Sequence, residues 1–321
     1  MPTSTRVAKP RQKTVYRVRN WAEYDRALVA RGSLTLWIAE SVLDSWRYQG
    51  PRRRGAQPTY SDQAIEASLS LKAVFHLTNR ATEGFVRSVF ERLELDLPVP
   101  DHTTLSVRAQ SVLVHLPRQA HGPVHIVLDS TGLKVYGEGE WKVRQHGASK
   151  RRTWRKLHIA LDPASGEIQA AMLTDNGVAD AEMVGPLLDQ LQRPLASTTA
   201  DGAYDQQSVY TDLAQRAPQA AVRIPPRRNA RIGQHGNTAA PPLPRDENLR
   251  AIRAQGRRAW KTEVGYHQRS LVETTMFRLK ALFGDHLQAR QLATQATEVG
   301  IRCRVLNRMT LLGLPHSVPV A

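Results

Sequence analysis

Residues 124–129 read VHIVLD, a short apolar and β-branched run that ends on an aspartate. Bounded by HGP before it and STG after it, such a run fits a buried strand better than a helix. The reading extends downstream. WKVRQHG (141–147) and KLHIALD (156–162) read as strands, PASG (163–166) is a turn, and EIQAAMLT (167–174) returns from it, so the segment predicts a meander. A helix over about 180–192, the strand LASTTAD ending on Asp201, a helix over 205–216 and the strand AVRIP (221–225) follow. A long irregular stretch then leads to a helix over about 267–283.

Strand, strand, strand, helix, strand, helix, strand, helix is the element order of ribonuclease H-like nucleases. It predicts an α/β catalytic domain over residues 120–321, with a mixed five-stranded sheet flanked by helices. Upstream the pattern turns helical, with segments near 21–31, 34–47, 63–78, 82–94 and 102–116, predicting an all-α domain over 20–119. GPRRRGAQP (50–58) separates the second from the third, Ser61 or Asp62 is placed to cap the third, and Asp101 the last. That last helix carries Thr103, Thr104, Ser106, Arg108 and Gln110, a polar and basic face. A helix-turn-helix module reading DNA and a packing or dimerisation domain with a solvated face both fit it. Residues 1–19 hold Arg6, Lys9, Arg11, Lys13, Arg17 and Arg19 and no acid, which predicts a flexible basic arm.

Lys plus Arg minus Asp plus Glu is 45 − 29 = +16 over 321 residues. Charge of that sign favours a polyanion, nucleic acid first, over a neutral metabolite. The single Cys303 allows no intrachain disulfide and no Cys-rich zinc site, and it reads as a small core residue in a reducing compartment. With no signal-peptide pattern and no run long enough to span a membrane, the expectation is a soluble, intracellular protein.

Basic charge is concentrated twice. Between Ala221 and Thr262 ten basic residues face Asp246 and Glu247, in an insertion at about 226–262 that reads either as a loop along phosphates or as a solvated linker. Around the hairpin, Lys142, Arg144, Arg151, Arg152, Arg155 and Lys156 are interleaved with Trp141 and Trp154. Basic groups with aromatics suit a distorted or single-stranded DNA end, while Trp in a hairpin also simply packs. His146 and His158 lack zinc-ligand spacing and read as structural or phosphate-contacting.

Tyr266, Arg269, Glu273 and Lys280 are spaced 3, 4 and 7 apart, which on a helix places all four within an arc of about 60°. That stripe is polar where a core stripe would be apolar. With Asp129 and Asp201 at strand ends, the chain offers three carboxylates that the fold could bring together. Asp129, Asp201 and Glu273 would hold two magnesium ions, manganese substituting, to activate a water or 3′-hydroxyl and stabilise the departing oxygen. Without metal, charges about 4 Å apart would repel by roughly 4 kcal/mol at an effective dielectric of 20. Arg269 and Lys280 would contact phosphates, and Tyr266 would stack on DNA or pack. Each carboxylate also has a duller reading, as a turn former or a helix-surface ion pair. The spacing of 72 residues between Asp129 and Asp201, repeated between Asp201 and Glu273, reads as coincidence.

These segments resemble the DDE-class transposases of bacterial insertion sequences, insertion-sequence family five in particular. The resemblance runs through NWAEYDRALVARGSLTLWI, YSDQAIEASLSLKAVFHLTNRATEGF, LPVPDHTTLS, DSTGLKVYGEGEWKVRQHG, KRRTWRKLHIALD, DGAYD and GYHQRSLVETTMFRLKALFG. The last is similar to the family's Y-R-E-K signature at Tyr266, Arg269, Glu273 and Lys280, and the family's two aspartates match Asp129 and Asp201. The resemblance implies a magnesium-dependent enzyme that binds double-stranded terminal inverted repeats, cuts at the transposon ends and joins the 3′-hydroxyls to target DNA. It also implies a homodimer or higher homo-oligomer on DNA, in the bacterial cytoplasm and associated with the nucleoid. A catalytically silent DNA-binding descendant, or a nuclease of the same fold that cuts without joining, are the alternatives.

Overall fold

The structure, a computed structural model, describes residues 15–52, 54–55, 57–119, 121–135, 154–235 and 242–320. Its first element is a strand, β1 (Val15–Val18), within the stretch that the sequence predicts as a flexible arm. Antiparallel pairing with Ser317–Val320 near the other end of the chain supplies the backbone partners that order it. Asn20 fastens the same junction, donating to the Leu314 carbonyl at 2.9 Å and accepting from the His316 N–H at 2.7 Å.

Six helices follow: α1 (Trp21–Ala30), α2 (Leu34–Trp37), α3 (Glu40–Asp44), α4 (Asp62–Val74), α5 (Asn79–Arg92) and α6 (His102–Arg108). The segment predicted as one helix over 34–47 is broken because Ile38 leaves helical geometry, at φ −121° and ψ 82°. Ser61, Thr78 and Asp101 cap α4, α5 and α6, each side-chain oxygen accepting from the backbone N–H three residues on. Helix α6 stops at Arg108, well short of 116. Arg108 turns back to donate to the Tyr60 carbonyl at 3.0 Å and to pair with Asp62, so the basic group that the sequence places on an outer face ties α6 to α4.

The second half is a mixed sheet. Strands β2 (Val124–Val135), β3 (Trp154–Leu161) and β4 (Ile168–Asp175) form an antiparallel meander. A 3₁₀ turn (Asp180–Met183) and α7 (Val184–Leu188) then cross to β5 (Leu195–Thr199), parallel to β2. A 3₁₀ turn (Gly202–Tyr204), α8 (Gln207–Arg216) and β6 (Ala221–Arg223) complete the spatial order β4-β3-β2-β5-β6. The stretch predicted as irregular contains two helices, α9 (Pro244–Gln255) and α10 (Arg257–Glu263). Pro244 starts α9 with a φ suited to the first helical position, and Asp246 and Glu247 follow in its positive first turn. Next come a 3₁₀ turn (Tyr266–Arg269), α11 (Ser270–Phe283), the two-residue strand β7 (His286–Leu287), α12 (Leu292–Leu312) and β8 (Ser317–Val320). Strand β7 pairs in parallel with Lys134 and Val135, giving the sheet six strands where five are predicted. This mixed sheet flanked by helices fits a ribonuclease H-like domain; the predicted strand at 141–147 lies outside the described residues.

Helix α12 joins the two halves. Ile301, Val305 and Met309 enter the core of the N-terminal helices, while Val299, Cys303 and Leu306 enter the core between the sheet and α11. Each such buried side chain is worth roughly 1.5–3 kcal/mol relative to exposure. Asn307 adds a directional lock, accepting from the Ile168 N–H at 2.8 Å and donating to the carbonyls of Ile168 at 2.9 Å and Pro117 at 3.1 Å. The helical core therefore includes side chains from far outside residues 20–119. Full burial also pushes the Cys303 thiol up to about 12, as a core role requires.

Candidate active site

Strand β2 runs on to Val135, so Asp129 lies in the middle of the strand, opposite Ile159, and not at its end. Its position still has a geometric meaning. In the parallel pairing of β2 with β5, Ile126 faces Thr198 and Val127 faces Thr199, an offset of 198 − 126 = 72. Since 201 − 129 is also 72, Asp201, two residues beyond β5, continues the same register and falls in line with Asp129. The first of the two equal intervals is thus the pairing offset itself. Asp201 caps the 3₁₀ turn after β5, its Oδ1 accepting from the Ala203 N–H at 2.8 Å, which fixes the carboxylate at the end of the strand.

Helix α11 brings the third carboxylate. Val272, Met276 and Leu279 pack into the core under the sheet, and this apolar stripe sets the helix rotation so that Glu273 and Lys280 flank β2. Lys280 Nζ donates to Thr131 Oγ1 at 2.6 Å. Arg269 bridges the two elements: one guanidinium nitrogen lies 3.5 Å from Asp129 Oδ2 and another pairs with Glu273. Thr131 is a contributor that the sequence reading does not single out; its place two residues along the strand from Asp129 is the signal that could have found it.

Burial pushes the Asp129 carboxyl above its ordinary range; the Ser130 N–H and Arg269 pull it back, and Asp201 and Glu273 add repulsion. Burial likewise raises the Tyr204 hydroxyl, helped by Asp180, Asp129 and Asp201, and raises that of Tyr266, which feels Arg269, Asp201 and Asp129. The innermost of the three carboxylates is thus raised chiefly by its burial, with the other two adding a smaller repulsion. As the side chains stand, no three of His, Cys, Asp and Glu among the described residues form a group that encloses an ion.

The other candidates divide. Tyr266 is 9% exposed and tilts against Trp260, with ring centroids 6.0 Å apart, so its ring packs. Arg155 donates to Gln295 at 2.9 Å and pairs with Asp175. Lys156 donates to the Val178 carbonyl at 2.8 Å and pairs with Asp180 at 3.3 Å. Both are engaged by partners within the chain. Trp154 lies against Gly132, where a Cβ would meet its ring at 3.1 Å, with the Lys134 ammonium 5.8 Å from the ring centroid. His158 is fully buried and bonded to Thr174 at 2.8 Å, a structural role. Trp141, Lys142, Arg144, His146, Arg151 and Arg152 lie outside the described residues.

Two family profiles, each described as a transposase DDE domain, match the chain, one over residues 29–138 and the other over residues 120–308. Among solved structures, a cryo-EM piggyBac transposase synaptic complex with hairpin DNA aligns at 12% identity and a TM-score of 0.37, covering 89% of this chain and 75% of that one. The second profile spans the sheet, both aspartates and the Glu273 helix, well over half of the sequence. The chain belongs to the transposase DDE-domain family.

Proposed function

We propose that the protein is an active DNA transposase of insertion-sequence family five, which binds double-stranded terminal inverted repeats, cuts at the transposon ends and joins the 3′-hydroxyls to target DNA. The observation that carries this reading is Arg269 bridging Asp129 and Glu273 while Asp129, raised chiefly by burial, also feels the charge of Asp201. A structural ion pair would lower that carboxyl; a site that awaits cations leaves it raised.

The donor set fits magnesium, or manganese in its place. Asp129, Asp201 and Glu273 are hard oxygen donors, and their mutual repulsion at Asp129 is relieved by a divalent cation. Bound there, the ions would supply an activated water or 3′-hydroxyl and stabilise the departing oxygen. The chain's own groups do the positioning. Arg269 has a planar fork that can exchange Asp129 for a phosphate oxygen. Lys280, pinned by Thr131, presents a point charge beside Asp129 on β2. Tyr266 forms the packed wall of the site.

In this reading the N-terminal helices supply the sequence-specific contacts, two or more protomers synapse the two ends, and the protein works in the bacterial cytoplasm on nucleoid DNA. The test is incubation of the full-length protein with a labelled duplex bearing its terminal repeat and a supercoiled target plasmid, in magnesium and in EDTA. Magnesium-dependent nicking with a joined product is expected. Nicking without joining would make it a nuclease, and tight binding with neither would make it a silent descendant.

A further inference from the structure

On the side of Tyr266 formed by α10 lies an open depression of about 520 Å³, lined by Arg257, Arg258, Lys261, Thr262, Tyr266 and His267. No carboxylate lines it. In the preceding helix Arg245 pairs with Asp205 and Arg250 with Glu247, while Arg253 reaches only the Ala230 carbonyl at 3.5 Å and does not line the depression. Among the described residues Arg257, Arg258 and Lys261 have no acidic partner; Arg257 donates to the Pro226 carbonyl at 2.7 Å and Lys261 sits 4.8 Å from the Tyr266 ring centroid. Trp260, 1% exposed, backs Tyr266 and so fixes the wall of the depression. Tyr266 is also close enough to Asp129 and Asp201 to feel both charges, as well as that of Arg257. One packed tyrosine therefore separates an acidic cluster from a basic one.

That inversion has a use if a polyanion must be held against three carboxylates, which repel it until cations nearby offset the cost. We infer that the depression is a binding site for backbone phosphates of the DNA strand passing the carboxylate cluster, with Arg257, Arg258, Lys261 and His267 as its ligands. The inference rests on the reading of the protein as a DNA-cutting enzyme. A volume of about 520 Å³ accommodates a phosphate with its sugar. Phosphate contacts of this kind fix register and carry no sequence information.

The test uses full-length protein and a labelled mixed-sequence duplex, with affinity measured across roughly 50–200 mM salt. Each phosphate contact contributes about 0.9 to the slope of log affinity against log salt on duplex DNA. Arg258→Gln/Lys261→Gln is expected to lower that slope by about 1.5–2, and addition of Arg257→Gln by about 2.5 in total. A change below about 0.5 in the double variant overturns the inference. The Arg257 side chain also bonds Pro226, so if the triple variant melts early the double variant carries the test alone. In a second arm, a neutral methylphosphonate is placed at successive positions around the cut site. One position is expected to weaken wild-type binding and leave the double variant unaffected; equal losses in both proteins overturn the inference. A normal slope change in a protein that never cuts would instead reject the enzymatic reading and leave the phosphate site standing.

Discussion

Two Asp–Arg pairs in the same half of the molecule behave in opposite ways. Asp205 is completely buried and every demand of its carboxylate is met: Arg245 at 2.7 Å, the Arg227 N–H at 2.8 Å and the Tyr210 hydroxyl at 3.1 Å. Burial alone would raise its pKa, yet these donors hold it below the ordinary value. Asp129 is 20% exposed, and it has one backbone N–H and an Arg269 nitrogen as far away as 3.5 Å. Its pKa moves up. The difference separates a pin from a candidate site: one carboxylate is saturated and holds the basic insertion to the sheet, while the other is raised chiefly by burial and also feels two more carboxylates. Ion pairing by itself is therefore a poor guide to role; the degree to which the acid is satisfied distinguishes the two.

The sharpest way to break the comparison is to remove the carboxylates. Cation-assisted stabilisation of a reacting phosphate is worth several kcal/mol, so Asp129→Ala, Asp201→Ala and Glu273→Ala are each expected to lower strand cleavage by at least about 10³-fold while end binding stays within a few-fold. Cleavage at wild-type rate by any one of them removes that residue from the site. Asp205→Ala is expected to do something different. Losing one partner of a buried pair costs about 3 kcal/mol, the low end of the range because Arg245 is 28% exposed, and urea unfolding should read it as a lower midpoint. If Asp205→Ala is as stable as wild type, the pin is decorative.

One side of this contrast was legible in the sequence and the Asp205 pin was not, and what was missed has physical causes. Asp129, Asp201 and the Arg269–Glu273–Lys280 stripe are visible because an acid closing an apolar run and polar groups along one helical face violate the apolar period expected of a core, although β2 in fact continues past Asp129. Helix α12 escaped notice because it is buried on two sides: opposite faces serve different cores, so no single apolar stripe stands out, and Gln295, Arg302, Asn307 and Thr310 are buried among its apolar residues. Helices α9 and α10 read as a charged linker because few apolar side chains hold them, Leu249 and Trp260 chief among those that are buried. Asp246 supplies what they lack, accepting from the N–H groups of Gly233 and Gln234 at 2.9 and 2.7 Å, a contact that only the folded loop reveals. Strand β7, two residues long, and the pairing of β1 with β8 depend on partners distant in sequence.

Arg269 and Lys280 test the same contrast from the cationic side. Each makes a charge-assisted contact of a type worth about 1.5–3 kcal/mol, so Arg269→Ala and Lys280→Ala are expected to slow cleavage by roughly 10- to 100-fold in single-turnover measurements. Unchanged rates would reduce both to structural pairs like Arg245.

The smallest expected effect is thermodynamic and does not need catalysis. A carboxyl whose pKa is raised on folding contributes stability that is complete below the ordinary value of 3.8 and is lost as pH rises through the raised value. For Asp205, which is depressed, the contribution is present above 3.8 and is lost as pH falls through the depressed value. At pH 7 in EDTA, then, ionised Asp129 is a cost, and Asp129→Asn is expected to melt above wild type. Magnesium should reverse the order by giving the wild-type carboxylates the charge they lack. For a site of millimolar affinity, 10 mM magnesium adds about 1.4 kcal/mol to the wild type. The same addition should leave Asp129→Asn nearly unmoved. Equal magnesium shifts in both proteins would mean that the ion binds elsewhere and that the raised carboxyl has another cause; a wild-type shift confined to an intact Asp129 would tie the unsatisfied carboxylate to the cation directly.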